Sequence, residues 1–373
     1  MRVGINLLWV RPGKNGGTES YIRNILDGLL KSSRGIQYYL YVSKDNESSF
    51  DTYYKNKHFI KRLCPIDTSS QVKRVLWENL NLDKVGKKDD LNIWFIPVYS
   101  KPFLTSKKIS YITVIHDIQA IHYPEYFSWF RNMFFKLCWK NACKTSDVVI
   151  TISNFCKNDI LKNLKVDKDK VKVIYNPIIT QNSTMDFSVL QKKYDIRDRD
   201  FYYTVSALAK HKNIMTLLSM MKKLKMQGSN KKLLITGVKV NADSEVTQYI
   251  KENNLEQNVI LTGYISNEER DCLYDHCEVF LFPSVFEGFG MPPIEALQRG
   301  TPVVTTKETS LYEVTKGKAY YVENPFNEEE WINNIQLAKV KEWEETMFLE
   351  YSVKNIIEQY ENLFEDIAKR VAK

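Results

Sequence analysis

One segment, residues 278–305, constrains the fold of this 373-residue chain more than any other. Its apolar run Val279–Phe282 predicts a buried strand, and a glycine-containing loop follows it. Pro292 then indicates the start of a helix, and Thr301–Thr305 indicates a second strand. Strand, loop, helix and strand make one βαβ unit, which predicts an α/β fold with a doubly wound parallel sheet.

The loop of this unit is predicted to hold a ligand, because open α/β sheets bind ligands at the carboxyl ends of their strands. The start of the helix presents the backbone amides of Phe289, Gly290 and Met291, which favour an anion such as a diphosphate. Gly288 and Gly290 have no Cβ atom, so a ligand can approach the backbone closely there.

Two carboxylates flank these amides, Glu287 in the loop and Glu295 in the first turn of the predicted helix. Without a metal, carboxylates repel phosphates and bind hydroxyl groups. A ligand with a central diphosphate and hydroxyl groups on both sides, a nucleotide sugar, satisfies this arrangement. The alternative is that Glu295 only complements the helix dipole.

The segment Glu287–Glu295, EGFGMPPIE, resembles the E-x7-E signature of the retaining glycosyltransferases of family 4, and Gly300–Val304 is also similar to that family. The resemblance extends in outline over most of the chain. It implies the GT-B fold: two Rossmann-like domains with an interdomain cleft and a C-terminal crossover helix. It also implies that Glu287 faces the transferred sugar and that Glu295 holds the ribose hydroxyls of the nucleotide.

The length of the chain predicts two domains of ordinary size. We expect an N-terminal, acceptor-binding domain over 1–178, a linker over 179–199 and a nucleotide-sugar-binding domain over 200–342. The resemblance implies that a helix over 343–373 packs back on the N-terminal domain.

Charge is distributed unevenly along the chain. Residues 1–178 contain 29 lysines and arginines against 16 acidic residues, a net +13, whereas the remainder contains 24 against 29, a net −5. Such a basic half favours an anionic partner: a membrane surface, a lipid diphosphate or nucleic acid. Because the sequence contains no nucleic-acid-binding motif, we expect no nucleic-acid partner.

Composition predicts a cytoplasmic protein. The chain has no run of 18 apolar residues, and its N-terminus alternates like a strand and lacks a signal-peptide cleavage site. Its six cysteines form no C-x-x-C pair and no metal-binding spacing, which is typical of reduced, buried thiols.

The first βα turn contains two adjacent glycines, Gly16 and Gly17, between a strand predicted over Val3–Val10 and a helix predicted over Thr18–Leu30. The missing G-x-G-x-x-G pattern disfavours a nicotinamide-binding domain. In the resembling family, paired glycines at this point border the donor diphosphate. The alternative is a flexible turn.

A predicted strand, Tyr111–Ile115, ends in His116 and Asp117. At the carboxyl end of a central strand His116 would point into the cleft, where it could donate a hydrogen bond to a sugar hydroxyl or a developing negative oxygen. Asp117 would contact substrate or orient His116. The alternative is a structural histidine, and the His-Asp pair resembles the family pattern.

Lys212 lies at the start of a helix predicted over His211–Met226, where its charge suits a diphosphate leaving group. The resemblance makes it the phosphate-binding lysine, although the family usually has arginine at the position of His211 and often a basic residue at the position of Ser206. The alternative is a surface lysine.

The loop that contains Tyr264 and Ile265 resembles the nucleobase-binding segment of the family. Two D-x-D triplets, Asp167–Asp169 and Asp198–Asp200, lie in charged connecting segments that no apolar strand precedes. We interpret them as surface charge and predict no metal and no other cofactor.

The segment 123–144 is the richest in aromatic and basic residues. From Phe127 onward it predicts a helix with Phe130, Phe134, Leu137 and Cys138 on one face. Such a helix can lie in a membrane interface, as a peripheral contact at the inner face of the cell membrane. The alternative is an ordinary amphipathic helix packed on the sheet.

These observations predict a retaining hexosyltransferase with Glu287, His116 and Lys212 as catalytic residues. The donor is a GDP-, UDP- or dTDP-hexose and the acceptor a glycan or a polyprenyl-diphosphate-linked glycan. The resemblance to mannosyl- and rhamnosyl-type transferases favours cell-surface polysaccharide assembly, such as O-antigen, lipopolysaccharide or capsule. The alternatives are a nucleotide-sugar hydrolase or epimerase of the same fold, or a non-catalytic GT-B partner subunit.

Overall fold

The computed structural model describes residues 1–180, 183–237, 241, 243–339 and 345–371. The chain forms two compact units. The first unit comprises Met1–Pro177 together with Leu349–Lys373, and the second comprises Ile178–Phe348.

The first unit is built on a parallel sheet whose seven strands, counted over the described residues, have the order β3-β2-β1-β4-β5-β6-β7. The strands are β1 (Arg2–Asn6), β2 (Gln37–Ser43), β3 (Phe59–Cys64), β4 (Ile93–Ile96), β5 (Ser110–Ile115), β6 (Val148–Thr151) and β7 (Val171–Val173). The helices are α1 (Gly17–Leu30), α2 (Gln71–Trp77), α3 (Asp83–Lys88), α4 (Gln119–His122), α5 (Trp129–Thr145) and α6 (Asn154–Asn163). A π-helical turn, Glu78–Leu82, joins α2 to α3.

The second unit has a parallel sheet of order β10-β9-β8-β11-β12-β13, with six strands in the described residues. The strands are β8 (Phe201–Val205), β9 (Lys232–Thr236), β10 (Val259–Gly263), β11 (Val279–Phe282), β12 (Val303–Thr306) and β13 (Tyr320–Val322). The helices are α7 (Phe187–Tyr194), α8 (Ile214–Met226), α9 (Glu245–Glu252), α10 (Asn267–His276), α11 (Met291–Gln298), α12 (Leu311–Val314) and α13 (Glu328–Leu337). The strand order of both sheets confirms two doubly wound, Rossmann-like domains.

Helix α14 (Val353–Val371) returns to the first unit and packs on α1. The hydroxyl of Tyr360 hydrogen-bonds that of Tyr21, and Tyr38 donates to the carboxylate of Glu361 at 2.9 Å. A Cβ at Gly28 of α1 would collide with side chains of α14, so glycine permits this close approach. The helix predicted from residue 343 starts outside the described residues, and a 3₁₀ turn, Glu345–Tyr351, precedes α14.

The predicted linker, residues 179–199, is instead part of the second unit in its described residues. Its helix α7 buries Phe187, Leu190 and Tyr194, and the Phe187 ring stacks on the His276 ring with centroids 4.1 Å apart. The polar composition predicted a linker because only this one narrow face of α7 is apolar.

Several predicted boundaries differ from the structure, among them those of β1, α1 and α8. Strand β1 ends at Asn6 and not at Val10, because the Asn6 side chain accepts the amide of Leu8 at 3.1 Å and starts a turn. Helix α1 begins at Gly17 with Gly16 as N-cap, one residue before the predicted start. Helix α8 begins at Ile214, because residues 210–212 form a 3₁₀ turn and the next residue, Asn213, is left-handed, with φ of +52°.

Helix α5 exists as predicted, but the residues predicted to share one face differ in burial. Cys138 is buried, whereas Phe130 and Leu137 are exposed; the buried side is formed by Phe135, Cys138, Trp139, Ala142 and Cys143. Both sides of the helix carry aromatic residues, so periodicity alone does not distinguish them. Among the described residues no helix is long and apolar enough to cross a bilayer.

Candidate active site

The loop between β11 and α11 has the predicted strand–loop–helix form. Gly290 is the N-cap of α11, with φ of +91°, and a Cβ there would lie 2.6 Å from Cδ2 of Leu311 and 4.0 Å from Cγ of Glu287. Backbone conformation and space therefore both require glycine. Met291 is the first helical residue, so Glu295 is the fifth and lies one turn later than predicted.

The segment that precedes α12 stabilises this loop through hydrogen bonds. Ser310 donates from its hydroxyl to the backbone carbonyls of Glu287, at 3.0 Å, and Phe289, at 2.9 Å. The amide of Glu287 donates to the hydroxyl of Thr309 at 3.0 Å. Gly288 and Phe289 are buried beneath these contacts. The sequence contains no motif that identifies Thr309 and Ser310 as supports of this loop.

Lys212 and Glu287 form the central ion pair of the second unit. The Lys212 Nζ atom lies 2.5 Å from Oε1 of Glu287, and their side chains are 21% and 13% exposed. The ammonium also lies 5.6 Å from the centroid of the Phe282 ring. An ammonium has three N–H donors, so Lys212 retains the capacity to bind a phosphate oxygen while it contacts Glu287.

His211 supports this pair as a neutral side chain. Burial and, to a smaller extent, the Lys212 charge lower its pKa, the Glu287 charge opposes them, and the resulting pKa is about 4. Its backbone carbonyl accepts the Val285 amide at 2.8 Å and the Ser284 hydroxyl at 3.2 Å, which ties the 3₁₀ turn to the β11 loop. His211 therefore does not supply the positive charge of the arginine usual in the family.

Glu295 lies against two residues that the sequence did not identify. The hydroxyl of Tyr274 donates to Oε2 of Glu295 at 3.1 Å. Burial raises the pKa of Glu295, while the charge of Arg270 and the Tyr274 hydrogen bond act in the opposite direction. Both partners lie on α10, which no motif connects to α11.

Tyr264 and Ile265 follow β10 directly. The strand ends at Gly263, whose carbonyl accepts the amide of Gly237 at 2.9 Å. Tyr264 is 73% exposed and Ile265 is partly buried. Their role in base binding stays a prediction.

His116 lies at the carboxyl end of β5 in the first unit. Its Nε2 atom donates to the Pro97 carbonyl at 2.9 Å, and its ring meets that of Tyr21 edge-on at 4.8 Å. Burial lowers its pKa to about 4. A neutral imidazole that donates through Nε2 can only accept through Nδ1. With Nε2 bonded to this carbonyl, a neutral His116 has Nδ1 left as an acceptor, and its role toward a substrate stays a prediction.

Asp117 follows His116 directly in the chain, and Gly16 and Gly17 lie in the first βα turn. Asp117 accepts the amide of Gln119 through Oδ1 at 3.0 Å. Gly16 and Gly17 are exposed at the N-terminus of α1, and Gly16 has φ of +54° with open space around its Cβ position. His116 and Asp117 line a cavity of about 410 Å³ that lies within this unit.

Both D-x-D triplets engage in local contacts. Asp167 accepts the amide of Asp169 at 3.0 Å, and Asp198 lies 2.8 Å from Nδ1 of His276. Within the described ranges, no group of three or more histidine, cysteine or acidic residues could hold a metal ion. Metal-independent activity stays a prediction.

Two family models match the chain. The model of glycosyl transferases group 1 matches residues 186–354, and the model of glycosyltransferase family 4 matches residues 15–182. The first match contains the Lys212–Glu287 pair and Glu295, and the second contains His116.

Individual relatives agree with these matches. The chain is 31% identical over 238 residues to the O-antigen chain mannosyltransferase RfbU of Salmonella typhimurium, covering 63% of this chain and 62% of that protein. It is 34% identical over 167 residues to the N-acetylgalactosamine-N,N'-diacetylbacillosaminyl-diphospho-undecaprenol 4-alpha-N-acetylgalactosaminyltransferase of Campylobacter jejuni, covering 44% of this chain and 42% of that protein. The alignments thus span less than two thirds of these relatives.

Among solved structures, Alr3699/HepE of Anabaena in complex with UDP-glucose resembles the chain over its full length. The TM-score is 0.69 at 19% identity, and the alignment covers 100% of this chain and 98% of the other. At this identity the similarity supports the GT-B fold alone. With both of its halves matched, the chain belongs to the glycosyltransferases of group 1 and family 4, the family that its E-x7-E segment predicted.

Proposed function

We propose that this protein is a retaining glycosyltransferase that moves a hexose from a nucleotide-diphosphate sugar to a hydroxyl of a glycan or lipid-linked glycan. The observation that carries this proposal is the contact of Lys212 with Glu287 beside the N-terminus of α11. It combines a cation for a diphosphate, a carboxylate for sugar hydroxyls and a helix terminus in one place.

In this proposal the donor diphosphate lies at the N-terminus of α11, within reach of Lys212. Glu287 accepts hydrogen bonds from hydroxyl groups of the transferred sugar, and Glu295 accepts them from the ribose. The hydrogen bond from Tyr274 restricts the orientation of the Glu295 carboxylate, so its ribose contact requires little rearrangement. Exposed Tyr264 and neighbouring Ile265 contact the base.

During transfer, the bond between the anomeric carbon and the diphosphate oxygen breaks, and its electron pair leaves with the diphosphate. The acceptor hydroxyl oxygen bonds to the same carbon, and its proton leaves with the departing diphosphate. Lys212 stabilises the negative charge that develops on the leaving group, the kind of contact that typically contributes most to rate. His116 accepts a hydrogen bond from a substrate hydroxyl through Nδ1.

Thermal-shift measurements with GDP-, UDP- and dTDP-hexoses test the donor assignment. A matching donor at 100 times its Kd stabilises the folded protein by about 2.7 kcal/mol. Glu295→Ala should abolish the shift, whereas Glu256→Ala, which removes an exposed glutamate of the same unit, should retain it. The absence of a shift with all three donor classes contradicts the proposal, and nucleotide release without acceptor indicates a hydrolase.

The names of the relatives support a role in assembly of a cell-surface polysaccharide, and one of them names a diphospho-undecaprenol substrate. A lipid-linked acceptor requires contact with a membrane. Helix α5 offers a suitable surface, because Trp129, Phe130, Met133 and Leu137 are exposed on it. Exposed basic side chains accompany them on the same helix: Arg131, Lys136, Lys140 and Lys144. Apolar and cationic groups together suit an anionic bilayer surface.

Vesicle sedimentation tests this contact. The protein should bind vesicles that contain phosphatidylglycerol more strongly than vesicles of phosphatidylcholine alone. Replacing Trp129 and Phe130 by serine should weaken binding at least about tenfold, because each large apolar side chain contributes more than 1 kcal/mol when buried. Val189→Ser, which removes an exposed apolar side chain from the second unit, serves as control. Equal binding by all three proteins contradicts the membrane contact.

A further inference from the structure

The backbone of Glu287 is fixed on both sides by side chains of one dipeptide, Thr309–Ser310. The Glu287 amide donates to Oγ1 of Thr309 at 3.0 Å, and the Glu287 carbonyl accepts from Oγ of Ser310 at 3.0 Å. Because hydrogen bonds are directional, the two peptide groups of Glu287 cannot reorient without breaking one of these contacts. The dipeptide therefore fixes the point from which the Glu287 side chain extends toward Lys212.

The segment that carries this dipeptide, residues 306–310, is bonded to the β11 loop at its beginning as well. The hydroxyl of Thr306, the last residue of β12, donates to the Ser284 carbonyl at 2.7 Å. Thr306 and Ser310 are both 0% exposed, so water does not compete for these hydrogen bonds. The segment is thus held at both ends, and the residues between them have little freedom to relax.

Thr309 has an unusual backbone conformation between these two anchored residues. Its φ is +54°, in the left-handed region, where Cβ lies too close to a backbone carbonyl oxygen. Among the described non-glycine residues with positive φ, Thr309 alone is β-branched; the others are aspartate, asparagine, arginine or lysine. Such strain persists only where the surrounding structure enforces it, and it concentrates at functional sites.

The side chain of Thr309 supplies what a glycine would lack, a hydroxyl group for the Glu287 amide. Within the described ranges this is the one hydrogen bond that the Thr309 hydroxyl forms. The residue is only partly buried, so packing of its methyl group does not by itself offset the strained backbone. The left-handed conformation is therefore linked to the position of Glu287 and not to the packing of the core.

We propose that Thr309 is a positioning residue of the donor site. Its strained backbone places the hydroxyl beside the Glu287 amide and so orients the Glu287 carboxylate toward the hydroxyl groups of the transferred sugar. This inference rests on the proposed function, in which Glu287 contacts the sugar and Glu295 contacts the ribose. Because Thr309 acts through Glu287, its loss should affect recognition of the sugar and leave recognition of the nucleotide intact.

Isothermal titration calorimetry with the full chain separates the two parts of the donor. The probe pairs are UDP and UDP-glucose, GDP and GDP-mannose, and dTDP and dTDP-rhamnose. For each pair, the sugar ratio is the Kd of the nucleotide divided by that of the nucleotide sugar. Thr309→Val, which keeps the branched shape without the hydroxyl, should lower the sugar ratio roughly 3- to 10-fold and leave the nucleotide Kd unchanged. Thr309→Ser keeps the hydroxyl and should retain the ratio.

Thr309→Gly distinguishes a positioning role from a purely structural one. It removes the hydroxyl and also relieves the left-handed φ, so it should unfold about 2 °C above Thr309→Val while it loses as much of the sugar ratio. Asn254→Gly is the matched control, because Asn254 also has φ of +54° but precedes β10, at the end of the sheet opposite to Glu287. It should leave the sugar ratio unchanged.

Hydrogen exchange of the Glu287 amide, measured by NMR, gives a readout that requires no ligand. The amide should exchange at least about tenfold faster in Thr309→Val and Thr309→Gly than in Thr309→Ser, because only serine retains the acceptor.

Four results overturn the inference. They are equal sugar ratios for Thr309→Val and Thr309→Ser, a ratio that recovers in Thr309→Gly together with the unfolding temperature, a Glu287 amide that exchanges equally slowly without the hydroxyl, and nucleotide binding by the unsubstituted protein with a ratio near one for every pair. Failure of the proposed function has a different signature: the unsubstituted protein binds none of the nucleotides, while exchange of the Glu287 amide still depends on Thr309.

Discussion

The candidate sites of the two units satisfy their polar groups in opposite ways. In the second unit the polar groups have partners within the protein: Lys212 is paired with Glu287, and Glu295 accepts a hydrogen bond from the Tyr274 hydroxyl. In the first unit, Oγ of Ser100 and Nε1 of Trp139, two residues that line the cavity, are buried and have no hydrogen-bond partner among the described residues. Matched charges hold a fixed geometry for electrostatic stabilisation, whereas unmatched donors gain most from a ligand.

The overall charge of the units follows the same division. Counted from the sequence, the first unit has 33 basic and 21 acidic residues, a net +12, and the second has 20 and 24, a net −4. The second unit therefore concentrates its cationic function at Lys212, while the first combines the cavity with a generally basic surface.

Substitutions in the Lys212–Glu287 pair should have the largest effect and therefore give the strongest test of this contrast. Lys212→Ala and Glu287→Ala should each lower kcat/KM by on the order of 10²–10³, the usual loss for one preorganised electrostatic contact. Because the two side chains act as one unit, the double variant should be little worse than either single variant. Lys222→Ala, at an exposed position of α8, is the control. Independent, multiplying losses would mean that the pair is not a functional unit.

The pH dependence of the free energy of unfolding provides a second comparison, because each unit contains one buried histidine with a lowered pKa. Burial lowers the pKa of His116 and of His211 from 6.5 to about 4. Between these pH values the unfolded chain binds more protons than the folded chain, so stability falls as pH drops from 6.5 to 4. Each histidine contributes up to about 3 kcal/mol to this loss.

Urea unfolding at several pH values in this window measures the effect. His116→Asn and His211→Asn should each flatten the acid side of the stability profile relative to the unsubstituted protein, and above pH 6.5 the histidine contribution is absent. An unchanged slope in either variant would mean that the histidine is accessible to protons in the folded state.

The smallest expected effect is a difference in stability between alanine substitutions at two glycines with positive φ, Gly290 and Gly16. Gly290→Ala meets both a positive φ and the Leu311 side chain, so it should cost about 2 kcal/mol or more and displace the loop that carries Glu287. Gly16→Ala meets the same restriction on φ but open space, and should cost about 1 kcal/mol. Thermal unfolding of both variants checks the order, and a larger loss for Gly16→Ala would contradict it.

The sequence predicted the local geometry around the second-unit site well because its parts are contiguous. A strand, a glycine loop and a helix start follow one another from residue 279 to residue 298, so spacing alone predicts their geometry. The partners of this segment, Tyr274 and Ser310, come from other elements and were not predicted. The cavity of the first unit was missed for the same reason, because Arg74 and Trp139 become neighbours only when α2 and α5 pack on the sheet.

Helix α5 shows a second limit of prediction from sequence. Its aromatic residues occur on both sides, so hydrophobic spacing indicated a helix but grouped exposed Phe130 and Leu137 with buried Cys138 on one face. Which side of a helix with aromatic residues on both sides faces the core depends on the surface against which it packs. The Nε2–Pro97 hydrogen bond of His116 is similar: strand position predicted the place of the ring but not its tautomer.

The return of α14 to the first unit also bears on the order in which the protein is made. A ribosome completes residues 178–348 before it delivers the helix that covers α1 and supplies the Tyr360 hydroxyl. The second unit can thus reach its native state while the first still lacks one wall of its core. A fragment that stops at Pro177 leaves Tyr21, Phe95 and the Gly28 surface exposed to water, so it is a poor substitute for the first unit in binding experiments.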